Sequence, residues 1–155
     1  MKRKKLTASM IALVMSVSLP MTTYAANWYL EDGSVTVNAD NSGQTVTQGG
    51  TSTPDEAPVI TQRENSVETG NTIGISTSDN ATANVTIKDI NIKSSNDAID
   101  VKGSSSANIT LEGDNKIFSE TGSALHISDG NVTINGSGSL KAEIQDEPDS
   151  GYNHN

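Results

Sequence analysis

The chain has no cysteine among its 155 residues, so no disulfide can hold it and no thiol chemistry is available. Aromatic residues are almost as scarce: one Trp, three Tyr and one Phe. Beyond residue 25 only Trp28, Tyr29, Phe118 and Tyr152 remain, too few for a thick globular core. Positive charge is short as well, with ten Lys and Arg against nineteen Asp and Glu and a formal net charge of −9. An acidic surface repels nucleic acid and anionic membranes, which removes both from the partners to be expected. There is one long apolar run and no second, so no membrane span is expected after it.

That run lies at the N-terminus. Lys2, Arg3, Lys4 and Lys5 precede apolar residues from about Leu6 to Leu19, and Thr23-Tyr24-Ala25-Ala26 follows. Positive charge, a short apolar stretch and small residues in that order read as a secretory signal, with cleavage after Ala25. A spanning helix needs about 20 apolar residues, and Ser16, Ser18 and Pro20 interrupt this one. Residues 1–25 carry four basic and no acidic side chains, so the remainder carries −13. The expected location is secreted and extracellular, at the cell surface where contacts hold it there.

What is abundant is Ser, Thr, Asn, Asp and Gly, a composition that suits disorder or a turn-rich solenoid. Periodicity selects the solenoid. Asn84-Val85-Thr86-Ile87, Asn108-Ile109-Thr110-Leu111 and Asn131-Val132-Thr133-Ile134 start 24 and 23 residues apart. Ile73-Gly74-Ile75, Ile99-Asp100-Val101 and Leu125-His126-Ile127 form a second set, 26 apart twice. Ile92, Ile117 and Leu140 make a looser third. Each segment alternates apolar and polar residues, the period of a half-buried strand, and no helical spacing persists. Polar, glycine-containing turns such as Lys102–Ser106 and Ser128–Gly130 separate them.

These observations predict an all-β fold: a short right-handed parallel β-helix of about three coils with an irregular N-terminal cap. Residues 1–25 are the signal peptide, 26–70 the cap and irregular first coil, 71–144 the regular coils and 145–155 a disordered acidic tail. Stacked coils predict inward columns: Val85, Ile109 and Val132; Ile87, Leu111 and Ile134; Ile99 with Leu125; Val101 with Ile127. Asn84, Asn108 and Asn131 are expected to form a side-chain ladder, since an amide both donates and accepts. Thr86, Thr110 and Thr133 are expected outside it. The open C-terminal end offers strand edges for homo-association, with Glu143, Asp146, Glu147, Pro148 and Asp149 placed to discourage it.

The segments Ala107–Asn115 and Asp129–Leu140 resemble right-handed β-helix repeats of secreted bacterial carbohydrate-binding domain-containing proteins. The resemblance covers about residues 70–144 and extends weakly to Asp32–Val37. It implies binding of extracellular or cell-wall polysaccharide. Candidate sugar-stacking residues are Trp28, Tyr29 and Phe118, although Trp28 and Tyr29 also suit a plug for the N-terminal end of the solenoid.

No residue is assigned a catalytic role. The β-helical enzymes that cleave polysaccharides need clustered carboxylates or a basic catalytic group in a groove. No carboxylate pair recurs at one phase here, and Arg63 is the only arginine beyond residue 25. His126 should lie one coil above Asp100, a surface ladder pair or half of a metal or catalytic site. Lys88 over Glu112 reads as charge compensation, and His154 in the tail has no assigned role. No cofactor is required. Calcium is a candidate ligand of the turn acids Asp97, Asp100, Asp114 and Asp129, with Asp79 a further turn acid, because it takes oxygen donors from such turns. The alternatives to glycan binding are an adhesive or structural surface module with a protein partner, or the remnant of a larger β-helix protein. The five Asn-x-Ser/Thr sequons largely coincide with the repeat and read as structural.

Overall fold

The computed structural model describes residues 25–78 and 80–145. The expected signal segment through Tyr24, the turn acid Asp79 and the acidic tail from Asp146 onward lie outside the described residues.

The strands in chain order are β1 (Asn27–Tyr29), β2 (Val35–Asp40), β3 (Gly43–Gln48), β4 (Thr51–Pro54), β5 (Val59–Thr61), β6 (Ile73–Thr77) and β7 (Thr82–Lys88). They continue with β8 (Asn91–Ser94), β9 (Ile99–Gly103), β10 (Ser106–Glu112), β11 (Asp114–Ser119), β12 (Leu125–Ile127), β13 (Asn131–Gly136) and β14 (Ser139–Ile144). The only described helix is one 3-10 turn, Leu30–Asp32. The strands β6-β7-β8, β9-β10-β11 and β12-β13-β14 are three successive coils of a parallel β-solenoid. Their equivalents stack into three sheets, ordered β1-β5-β7-β10-β13, β14-β11-β8 and β12-β9-β6-β2-β3-β4. Alternation in the sequence becomes alternation of side chains: in β7 Ala83, Val85 and Ile87 are buried, while Thr82, Asn84 and Lys88 are exposed.

Below these coils lies an earlier, interrupted one. β2 pairs in parallel with β6, β5 with β7, and Thr69 bridges to Ile92, so all three sheets have a member in it. The interruption is an antiparallel meander: β3 pairs with β2 and β4 with β3. It covers the N-terminal end of the β2 sheet, placing Val46 against Val37 in the core. Pro54 closes β4 at the sheet edge, where a missing N–H costs nothing, and residues 55–58 form the loop that leads into β5.

The expected columns divide. Val85 with Ile109, Ile87 with Leu111, Ile99 with Leu125 and Val101 with Ile127 stack as anticipated. In the last coil five expectations fail. Asn131 lies on Ser106 rather than Asn108, Val132 on Ala107 rather than Ile109, Thr133 on Asn108 rather than Thr110, Ile134 on Ile109 rather than Leu111, and Leu140 on Asn115 rather than Ile117. Ile109 instead receives Ile134, Leu111 receives Gly136 and Ile117 receives Ala142. The shift is two residues, which preserves the inward and outward faces and so leaves the hydrophobic pattern indifferent to it.

The turn before β13 decides between the two registers. Asn131 donates its backbone N–H to the Ser105 carbonyl at 2.9 Å. Gly130, at φ +82°, lies where a Cβ would come within 2.3 Å of the Ser105 oxygen. Only a glycine permits that close approach, and it fixes Asn131 beside Ser106. Gly103, at φ +118°, does the same one coil earlier, where a Cβ would lie 1.9 Å from the Thr77 carbonyl oxygen.

Buried amides complete the hydrogen bonding between coils. Gln44 is 2% exposed and Asn115 1%. The Asn115 Oδ1 accepts from the Ile90 N–H, and its Nδ2 donates to the Glu112 and Ser139 carbonyls. Gln62 bridges the Asn91 N–H and the Val67 carbonyl. Each amide stands in for a peptide group and supplies partners to backbone groups of a neighbouring coil.

Candidate functional site

The outer face of the β14-β11-β8 sheet presents one aromatic among charges. Phe118 points outward from β11, half-buried, with Lys93 of β8 on one side and Glu143 of β14 on the other in exact register partners of the ladder. The Lys93 Nζ lies 5.8 Å from the ring centroid, within reach of a weak cation–π contact. Beside this row Asn91 and Lys116 form a second. Together with Glu68 they line a shallow depression of about 190 Å³ whose floor is Ile92 and Ile117. Lys93 is paired with Glu68 at 3.8 Å and Glu143 with Lys141 at 3.0 Å. All four side chains are near half-exposed or more, so these pairs are screened and contribute little to stability.

The other two aromatic candidates serve the N-terminal end. Trp28 packs partly buried against the core, and its indole N–H donates to the Asp55 Oδ2 at 2.8 Å. The same carboxylate accepts from the Ala26 N–H, and its Oδ1 accepts from the Ala57 N–H. Trp28 is thereby pinned over Ile60, its neighbour across the β1–β5 pair. The Tyr29 ring is covered by the Arg63 guanidinium, 4.0 Å from its centroid. Arg63 in turn grips Asp32 with both fork nitrogens, Nη1 to Oδ1 at 2.9 Å and Nη2 to Oδ2 at 2.7 Å. These bonds hold the Asp32 carboxyl below its ordinary range and raise Arg63 above its own. Trp28 and Tyr29 belong to a different sheet from Phe118: β1 is the end strand of its sheet, whereas β11 is the middle strand of its own.

The four turn acids do not converge. Asp114, on β11, accepts from the Ser139 hydroxyl at 3.0 Å and sits in the β14-β11-β8 sheet. Asp129 stands exposed on the turn before β13. Asp97 and Asp100 do come together, with His126 of the next coil. The His126 Nδ1 is 3.0 Å from Asp100 Oδ1 and 3.5 Å from Asp97 Oδ2. Among the described residues this is the one group of three such side chains with donor atoms mutually within 4.8 Å. The sequence phase that placed His126 over Asp100 holds. The part of Asp97 escaped it, because Asp97 lies on the turn leading into β9, outside the strand repeat.

The expected asparagine ladder is two residues deep. Asn108 Nδ2 donates to Asn84 Oδ1 at 3.0 Å. Asn131 has no place in it; Thr133 lies on Asn108, and the Thr110 hydroxyl donates to Asn135 Oδ1 at 3.1 Å. Thr133 is accordingly absent from the Thr86–Thr110 row. Lys88 pairs with Glu112 across the coils at 3.2 Å.

At the C-terminal end no described residue covers the last coil. Ile127, Ile134 and Ile144 are 45%, 41% and 60% exposed, and β12, β13 and β14 have a strand neighbour on one side only.

The architecture defines a parallel β-solenoid of about three coils. No protein-family model, curated protein or solved structure matches the chain.

Proposed function

We propose that the protein is a secreted, non-enzymatic β-solenoid module that binds extracellular or cell-wall polysaccharide through the outer face of the β14-β11-β8 sheet. The observation that carries this reading is Phe118, an aromatic held half-open between a cation, a carboxylate and an amide. An aromatic face supplies the apolar contact a pyranose ring offers, and the surrounding polar groups meet its hydroxyls. The repeats add support through their resemblance to secreted bacterial carbohydrate-binding β-helix proteins, an argument from architecture that is weaker than one from the site. Trp28 and Tyr29 take the role of end plugs in this reading. Affinity electrophoresis against neutral and acidic polysaccharides tests it. The protein should be retarded by at least one, and Phe118→Ala should abolish the retardation while circular dichroism stays unchanged. No retardation of a folded protein by any glycan removes the proposal.

A second reading rests on a separate observation, the last coil that no described residue covers. Exposed isoleucines beside unpaired strand edges suit an adhesive or structural module that associates through its C-terminal end. Sedimentation velocity over a hundredfold concentration range separates the two, since only the second requires a size that grows with concentration.

A further inference from the structure

The geometry points to a divalent metal site of the zinc, cobalt or nickel type at Asp97, Asp100 and His126, formed across two coils of the solenoid. The imidazole sets this group apart from an ordinary acidic patch. Calcium takes oxygen donors, whereas an imidazole nitrogen with carboxylates is a donor set for borderline first-row ions. It therefore replaces calcium as the expected ion here.

The two distances from the imidazole to the carboxylates fit such an ion. Zinc bonds to His nitrogen and carboxylate oxygen are about 2.0–2.2 Å, so two donors at tetrahedral or right angles lie roughly 3.0–3.5 Å apart. The His126 Nδ1 stands 3.0 Å from Asp100 Oδ1 and 3.5 Å from Asp97 Oδ2. A proton on Nδ1 can serve the same carboxylates, and the ion would take its place. Three protein donors leave at least one coordination position for water.

The donors are positioned before any ion arrives. Register places His126 directly on Asp100, 26 residues away in sequence. Asp97 is held by its other oxygen, Oδ1, which accepts the Ser123 N–H at 2.6 Å and leaves Oδ2 turned toward the imidazole. Next to Ser123, Gly122 keeps that carboxylate clear, since a Cβ there would lie 2.6 Å from Asp97 Oδ1. All three side chains are between 33% and 45% exposed, open to an ion from solvent. Lys102 Nζ lies 3.8 Å from Asp100 Oδ2, and its own side chain is 61% exposed and can swing away.

The chain's only other histidine is His154, which makes the test simple. Zinc ions are titrated into the full chain while the ring protons of both histidines are followed by NMR. The His126 signals should shift and saturate at one ion per chain, with His154 unmoved over the same range. Asp100→Asn and Asp97→Asn should each weaken the apparent affinity at least tenfold. The asparagine at 97 keeps an oxygen for the Ser123 N–H, so the fold is retained. Asp114→Asn and Asp129→Asn should change it less than twofold. The site is refuted if both histidines respond together, or if neither Asp97→Asn nor Asp100→Asn moves the affinity beyond twofold. An equal shift of His126 with calcium at the same concentration would overturn the choice of ion.

Discussion

Gln44 is where the irregular and regular halves of the protein are joined, and replacing it tests that junction. β5 covers only the Thr86–Lys88 half of β7, leaving the Asn84 peptide groups without a strand on that side. Gln44 fills the gap. Its Oε1 accepts the Asn84 N–H at 2.8 Å, and its Nε2 donates to the Asn84 carbonyl at 3.1 Å and the Asp55 carbonyl at 2.8 Å. Gln44→Leu keeps the volume and removes all three bonds. A typical internal hydrogen bond contributes about 1 kcal/mol net, and a buried group left unpaired costs about 1–3 kcal/mol. The leucine recovers about 1 kcal/mol or more through its apolar burial. The expected loss is thus about 2–4 kcal/mol, a large share of the roughly 5–15 kcal/mol that holds a domain together. Urea unfolding followed by circular dichroism measures it, and hydrogen exchange at Asn84 locates it. Gln44→Glu should be at least as damaging, because a carboxylate would face two carbonyls with no proton to offer. A Gln44→Leu variant within about 0.5 kcal/mol of the parent, with Asn84 protection intact, would refute the reasoning.

Two further outcomes follow from burial and charge. Ile109 and Ile134 are neighbours in one inward row, yet Ile109 is 2% exposed and Ile134 41%. Ile109→Ala should cost about 2–5 kcal/mol in urea unfolding and Ile134→Ala well under half of that, and equal losses would contradict the open end. Asp32, held below its ordinary range chiefly by its hydrogen bonds to Arg63, makes a contribution that is present above its unfolded pKa and lost as pH falls through the lowered native value. Arg63→Gln should raise the Asp32 carboxyl back into the ordinary carboxylate range in a ¹³C NMR titration. An unmoved titration would show that the fork does not set it.

Much of the site was legible from phase alone. His126 on Asp100 and Lys88 on Glu112 both lie within strands, where the coil length is read directly from the repeat. Asp97 joins His126 from a turn, and a turn's path depends on contacts with the coil above it, here the Ser123 N–H. The convergence of Phe118 with Glu68 and Glu143 likewise needs the sheet to be assembled, since the three belong to separate coils. The buried amides left no signal at all, because a glutamine in a polar segment reads as surface until the missing strand beside it is known.

The sequence by itself determined the alternation of faces, the coil length in the regular part and hence a parallel β-solenoid. Period-2 patterning is local, and a repeat of fixed length stacks in only one way when the turns match. The tertiary structure decided the rest. It built the irregular first coil around an antiparallel meander of residues 35–54, and it set the last coil two residues away from the alignment of its own Asn-Val-Thr-Ile motif. A two-residue slip buries the same face, so hydrophobicity cannot choose. Backbone contact chooses, through Gly130 lying where no side chain fits and Asn131 hydrogen-bonding to Ser105.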